Sequence, residues 1–471
     1  MVGQAALSDG AKLCLWDQWL GRQKPAYRSC ARQGDLLPVC GLDERDVRGA
    51  AQLLDFARSL ACRCLVGMRR PAAAADLRPV QSVNTRAGGI GLARIVCFGS
   101  DLTDVAQLRR LGSFHELGHE VISVTSRKGP MPEVAWQNID LGQIGQHGLM
   151  KRAALALKAA LADPRLAPIV ASADVLVARN LDMLALACVV KRRSKSTAPI
   201  AYEVLDIHSL LEGDGAKSRL ARLAERHLLQ SVSALWLSSP GFHRGYFSNR
   251  QGYDGPWHLV ENKLVLADDA RRPDPVADSR DAGVIRLGWI GAIRCRPSFE
   301  LLLETAKRMG GAVELHVHGQ IHDHVLPDFH DRIADVAQVV FHGAYAYPDG
   351  LAACYGSCDV VWAQDLWQAG GNSDLLLPNR IYEAGWHNCP VIALSGTETG
   401  RKIARSGQGW TIDAATPDAL ISCLSALDQQ AIKACSQAIA AIPDAVFRQT
   451  EADVTGLLGS VGIPARSHRA P

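Results

Sequence analysis

This sequence predicts an α/β protein with two doubly wound domains facing each other across a cleft, preceded by an N-terminal extension. Three observations predict it. From Arg94 onward, short apolar runs alternate with helical stretches, the pattern of parallel sheets covered on both faces. The alternation breaks once, at the polar, proline-bearing segment Asp268 to Asp281 (DDARRPDPVADSRD), and then restarts. At 471 residues the chain also exceeds one ordinary core, so two or three domains are expected. The expected divisions are an extension over 1–90, a first domain over 91–267, a second over 282–445, and a C-terminal helix and tail over 446–471.

Residues 1–90 differ from the rest. Five of the 13 cysteines fall within the first 64 positions, and one helix is predicted from Asp43 to Leu65 on the spacing of Ala50, Leu53, Leu54, Ala57 and Leu60. The residues assign this region no function, and Met68 is one internal candidate for a start. In the first domain the predicted strands are Ile95 to Phe98, Val121 to Val124, Val175 to Ala178, Ile200 to Leu205, Ala234 to Leu237 and His258 to Val260. Helices are predicted through Val105, Leu108 and Leu111, over Leu149 to Leu161, and over Ala216 to Leu229. In the second domain the strands are Ile285 to Ile290, Val313 to Val317, Val339 to Phe341, Val360 to Trp362 and Val391 to Leu394. Helices are predicted there at Ser298 to Arg308, Asp349 to Tyr355, Arg380 to His387 and Pro417 to Leu427.

Bulk composition narrows the function classes. Hydrophobic residues at 48% and charged residues at 21% are globular values. A formal net charge of +3 implies no general affinity for nucleic acid. The longest apolar candidate, Met183 to Val190, is far shorter than the about 18 residues a membrane span needs. Lys12, Asp17 and Arg22 interrupt the apolar stretches a secretory signal requires, and the cysteines form no CxxC pair. Irregular, odd-numbered cysteines fit reduced thiols in a cytoplasmic protein.

Two turns in the second domain carry chemistry. In GGNSDLLLPNRIYEAGWHNCPVIAL, Gly370 to Leu394, a loop with Gly371, Asn372 and Ser373 leads through Pro378 into a short helix bearing Asn379, Arg380 and Glu383. Free amides and the positive end of a helix suit phosphate, and a carboxylate beside them suits the cis-diol of a ribose. Asn379 and Glu383 share a helix face. The segment reads either as a nucleoside-diphosphate site or as an ordinary loop–helix–strand connection. In LGWIGAIRCRPSFELLLETAKR, Leu287 to Arg308, a buried strand ends at Gly291 and a turn carries Arg294 and Arg296. Glycine there permits close backbone approach, and the two arginines offer cationic forks to a diphosphate or are simply solvated.

WIGAIRCRPSFELL, followed by NSDLLLPNRIYEAG and CPVIAL, resembles bacterial exopolysaccharide glycosyltransferases of the GT-B fold, most closely the succinoglycan-biosynthesis type. The resemblance covers roughly Arg94 to Asp413. It implies two Rossmann-like domains, the first for the acceptor and the second for a nucleotide sugar. It implies that Glu383 holds the ribose, while Arg294 and the Asn372–Ser373 loop meet the diphosphate. UDP-glucose is the implied donor, and no resident cofactor or metal is implied. The implied acceptor is a growing or polyprenyl-diphosphate-linked glycan at the cytoplasmic membrane face. Many retaining relatives carry an acidic residue where this chain has Leu375, so the retaining mechanism is not assumed.

In YEVLDIH, Asp206 and His208 close a predicted strand of the first domain. Either they remove the acceptor proton in an inverting transfer, or they are structural, with Asp206 capping the next helix. Three further runs need weighing. HELGH, His115 to His119, matches a zinc-hydrolase signature, but Gly118 lies inside it and the strand-like EVISVTS follows at once. HVHGQIHDH, His316 to His324, puts His316 and His318 on one strand face, either near a metal or beside a cleft-facing loop. Lys191, Arg192, Arg193 and Lys195 form a basic cluster that is either solvated or rests on anionic headgroups. A zinc-dependent hydrolase and a sugar-nucleotide-binding protein without catalysis are the rival readings.

Overall fold

The computed structural model describes residues 92–143, 149–267, 269–275 and 283–463. The helix expected between Asp43 and Leu65 lies outside them. The first sheet is built from β1 (Arg94–Gly99), β2 (Glu120–Arg127), β3 (Gln137–Gln143), β4 (Val175–Arg179), β5 (Ile200–Val204), β6 (Ala234–Leu237) and β7 (Trp257–Leu259). Its order is β3-β2-β1-β4-β5-β6-β7, every pair parallel. The second sheet comprises β8 (Ile285–Ile290), β9 (Val313–His318), β10 (Val339–Gly343), β11 (Val360–Trp362), β12 (Val391–Leu394) and β13 (Gly409–Ile412). It repeats the scheme as β10-β9-β8-β11-β12-β13, again wholly parallel.

Both sheets are therefore wound outward in two directions from their first strand. The order reverses between β1 and β4, and between β8 and β11. Ligand crevices in such sheets open outside the carboxyl ends of the strands at that reversal. Apolar side chains cover both faces of each sheet, which is why the central strands read as unbroken apolar runs.

Two strands go beyond the sequence expectation. β3 (QNIDLGQ) is an edge strand with only Ile139 fully buried, so it lacks an apolar run. β13 is a four-residue edge whose first three residues stay half-buried. The basic cluster also differs: Lys191, Arg192 and Arg193 form the last turn of the Leu181–Ser194 helix, where cations favour the negative helix end.

The chain crosses between the two sheets twice. The polar segment read as a linker is anchored in its described part by Arg272. Its guanidinium donates to the carbonyls of Gly385 and Ile442, each at 2.7 Å, and to Ile439 at 2.9 Å, capping the ends of two helices. After a bridge between Leu264 and Arg448, the Glu451–Gly459 helix returns to the first sheet. There Val454, Leu457 and Leu458 join Ile95, Phe114 and Trp236 in one core. Each such burial contributes about 1.5–3 kcal/mol. No helix among the described residues is long and apolar enough to cross a membrane.

Candidate active site

The site starts where β8 ends. Gly291 has φ +118° and its N–H donates to His318 O at 2.9 Å. Gly319 faces it at φ +140°, and a Cβ there would fall 1.7 Å from Gly291 O. Backbone packs on backbone at this point, and only glycine permits it. Arg380 Nε donates to Ile290 O at 2.6 Å, drawing the Asn379–Trp386 helix onto the same strand end. Pro378 is the N-cap of that helix and supplies no side-chain bond, so the first helical amides are left to other partners. Asn379 at the first helical position is exposed.

One turn further, Glu383 is 5% exposed, and its Oε2 accepts from Tyr355 OH at 2.9 Å. Among the described residues its second oxygen accepts no hydrogen bond. Burial raises this carboxyl above the ordinary glutamate value, against the pull of Tyr355, Arg109 and Arg380. Arg109 comes from the first domain and donates to Tyr347 OH at 2.9 Å. Glu383 is thus buried, bonded to Tyr355, and within electrostatic reach of Tyr345, Tyr347 and the first-domain Arg109.

The loop carrying Gly371, Asn372 and Ser373 reaches across to the first domain. The Asn372 side chain is buried, accepts from Ile207 N–H at 2.7 Å and donates to Asp206 Oδ1 at 3.1 Å. Ser373 Oγ donates to Asp365 Oδ1 at 3.1 Å and accepts from Gln368 N–H at 2.8 Å. Both side chains are therefore engaged by protein rather than free for a phosphate. A Cβ on Gly371 would sit 2.5 Å from the Glu212 carboxylate, another first-domain group. Leu375 and Leu376 pack against the core of the first domain, and Ser239 donates to Leu375 O. The position that is acidic in many retaining relatives is here an apolar residue of the domain seam.

Asp206 follows β5. Asp206 is exposed to solvent, yet the protein packed around its carboxyl raises it above the ordinary aspartate value. The Asn372 hydrogen bond and Arg294 pull it down, while Asp365 and Asp104 push it up. Arg294 comes from the second domain, is exposed, and has no hydrogen bond or ion pair among the described residues. Arg294 thus lies within electrostatic reach of Asp206. His208 caps the Ser209–Glu212 turn: its Nδ1 accepts from Leu210 N–H at 3.1 Å. That bond leaves a neutral ring with its proton on Nε2, a donor rather than a base. The capping role that the sequence also allowed Asp206 belongs to His208.

Arg296 is not brought to the others. Its guanidinium pairs with Asp328 at 2.5 Å and donates to Val325 O at 3.0 Å, within a surface network that includes Glu300 and Arg332. Position 296 opens the Arg296–Met309 helix, so its side chain lies along that helix instead of over the strand end. The sequence reading missed Arg109, Tyr355 and the buried set around Glu203. Arg110 Nε and Arg179 Nη2 reach the two oxygens of Glu203 at 3.1 and 2.9 Å. Burial pushes Glu203 up, but the two arginines outweigh it and hold the carboxyl below its usual value. These groups line a shallow recess together with Arg109, Glu261 and Lys263. A charged residue inside an apolar strand, as in YEVLDIH, was the signal available for Glu203.

HELGH does not form a two-histidine helix face. The Val105–Glu116 helix ends before His119, and Gly118 turns the chain at φ +82°. His119 is buried and its Nδ1 accepts from Ala93 N–H at 3.2 Å. The zinc-hydrolase reading therefore lacks its ligand geometry.

No family model matches this chain. It is 33% identical over 342 residues to the succinoglycan biosynthesis protein ExoL of Rhizobium meliloti (strain 1021), covering 71% of this chain and 85% of ExoL. Among solved structures it is similar to WaaG, a glycosyltransferase involved in lipopolysaccharide biosynthesis (TM-score 0.55, 13% identity, 78% of this chain and 100% of that one). It is also similar to Anabaena HepE in complex with UDP and glucose (TM-score 0.53, 13% identity, 78% and 98%). By its likeness to ExoL across most of both chains, and by its paired parallel sheets, the chain belongs to the ExoL family of succinoglycan-biosynthesis proteins and is built on the GT-B glycosyltransferase fold.

Proposed function

We propose that this chain is a hexosyltransferase of exopolysaccharide biosynthesis, moving a sugar from a nucleotide-sugar donor to a growing or lipid-linked glycan. The observation that carries the reading is the Asn372 bridge, with Arg294 within electrostatic reach of Asp206. The bridge ties a carboxylate of one domain to a loop of the other, with a second-domain cation in electrostatic reach, an arrangement that suits transfer from a diphosphate. UDP-glucose is the first donor to test, since HepE, a structural neighbour, holds UDP and glucose.

In this reading Glu383 accepts from the ribose hydroxyls, and Tyr355 orients its carboxylate. Arg294 and the first amides of the Asn379–Trp386 helix balance the charge that builds on the diphosphate as the sugar C1–O bond breaks. Asp206 takes the proton of the acceptor hydroxyl as its oxygen bonds to C1. The raised Asp206 carboxyl suits proton acceptance, and Asn372 keeps it ionised and aimed. Gly291 lets the backbone approach the donor, and His208 holds the turn behind Asp206. Leu375 offers no acidic group, which favours the inverting route.

Nucleoside diphosphate release from a panel of UDP-, GDP- and ADP-sugars, with a glycan acceptor present, tests this. Asp206→Asn should lower turnover about 10²–10⁴-fold with little change in donor affinity. Near-normal turnover would remove Asp206 from the chemistry. Donor binding with no turnover by the wild-type chain would instead support the binding-protein reading.

A further inference from the structure

We infer that His316, His318 and His342 form a binding site for a divalent metal ion of the zinc class, separate from the transfer chemistry. One nitrogen from each ring lies within 4.8 Å of the other two. The closest pair, His316 Nδ1 and His342 Nε2, is 3.0 Å apart. With metal–nitrogen bonds of about 2.0–2.1 Å in a tetrahedral site, ligand nitrogens stand about 3.3 Å apart. The His318 and His342 rings lie parallel, so one of them must turn about its side-chain bonds for its in-plane lone pair to meet the same ion.

The backbone explains the convergence. β9 places His316 and His318 two residues apart on one face, and β10 pairs with it in parallel, Val340 against His316 and Gly343 against His318. A register shift between Phe341 and Gly343 sets His342 beside both rings. Its ring stacks on His318 with centroids 4.0 Å apart. Oxygen partners stand behind two of the rings: Glu314 Oε2 lies 3.3 Å from His316 Nε2, and Ser357 Oγ lies 2.9 Å from His318 Nε2. A carboxylate on the far nitrogen of a histidine is the outer partner that fixes a metal-binding ring. His316 and His318 are buried, whereas His342 is exposed and gives an ion access from solvent. Imidazole sets of this kind suit zinc, nickel or copper rather than magnesium or calcium.

The consequence is structural. A metal shared by β9 and the edge strand β10 fastens that edge. It also braces the β8 turn, because Gly291 N–H donates to His318 O at 2.9 Å.

The test uses the full chain, stripped with EDTA, dialysed, and titrated with zinc chloride against a fluorescent chelator. One equivalent should bind, and zinc should raise the melting temperature. His342→Ala changes only an exposed ligand; it should melt like the stripped wild type in EDTA and gain nothing from zinc. Glu314→Gln should weaken binding about 10–100-fold, the usual effect of losing an outer partner. His115→Ala should bind as the wild type does. Equal zinc affinity in wild type and His342→Ala, no zinc uptake by the wild type, or loss of uptake in His115→Ala would each overturn the assignment.

Discussion

Replacing Asn372 by alanine probes the seam on which the proposed chemistry depends. The amide makes two hydrogen bonds to the first domain, to the Ile207 amide at 2.7 Å and to the Asp206 carboxylate at 3.1 Å. A neutral bond contributes about 0.5–1.5 kcal/mol and one to a charged group about 1.5–3, so the variant should lose about 2–4.5 kcal/mol of domain contact. It also loses a force that lowers Asp206. Burial already holds that carboxyl above the ordinary aspartate value, and removing the Asn372 donor lets it rise further. Because the proposed base acts as the carboxylate, activity falls as pH drops through its raised pKa. The acid limb of kcat/KM should therefore lie above the usual aspartate range in the wild type, and higher still in Asn372→Ala. A pH–rate profile of both proteins reads this directly. An acid limb that does not move, with kcat/KM within twofold at neutral pH, would refute the role given to this bridge.

Two further outcomes follow from charges elsewhere in the molecule. Glu203→Gln leaves Arg110 and Arg179 buried without their shared carboxylate, and should cost about 3–5 kcal/mol by urea unfolding. Since the folded pKa of Glu203 is depressed, its contribution is complete above the ordinary carboxylate range and fades as pH falls through the folded value; the variant should lack that acid-dependent part. If the basic last turn of the Leu181–Ser194 helix rests on anionic lipid, each basic residue near the surface adds about 1 kcal/mol. Neutralising Lys191 and Arg192 should then cut flotation with phosphatidylserine vesicles by an order of magnitude or more, and unchanged flotation would place the contact elsewhere.

How far the sequence carried the structure depended on where the physics is local. The central strands were legible because parallel strands buried on both faces must be apolar throughout, as in IVCF or VLVA. β3 was not, because an edge strand needs no apolar run. Helix limits moved by a residue or two wherever caps decided them, as at Pro378. At the site, the turns after β5 and β8 were visible as turns, yet which way their side chains point was not. Arg294 and Arg296 look equivalent in the sequence. One stays unpaired within electrostatic reach of Asp206, whereas the other is held by Asp328. The Asn372 bridge and the Arg109–Tyr347 contact join residues more than 160 positions apart, so no local pattern announces them. The three histidines were readable only as a pair, since His342 arrives on a neighbouring strand.

Donor recognition by Glu383 is tested most directly by titration calorimetry with UDP. Glu383→Gln preserves shape and can still accept from Tyr355, but exchanges charge-assisted bonds to two ribose hydroxyls for neutral ones. That exchange is worth about 1–3 kcal/mol, or about 5–150-fold in Kd. UDP should bind the variant more weakly by that factor, and the penalty for using 2′-deoxy-UDP should shrink. Equal UDP affinity in both proteins, with the same deoxy penalty, would contradict a ribose grip by this carboxylate.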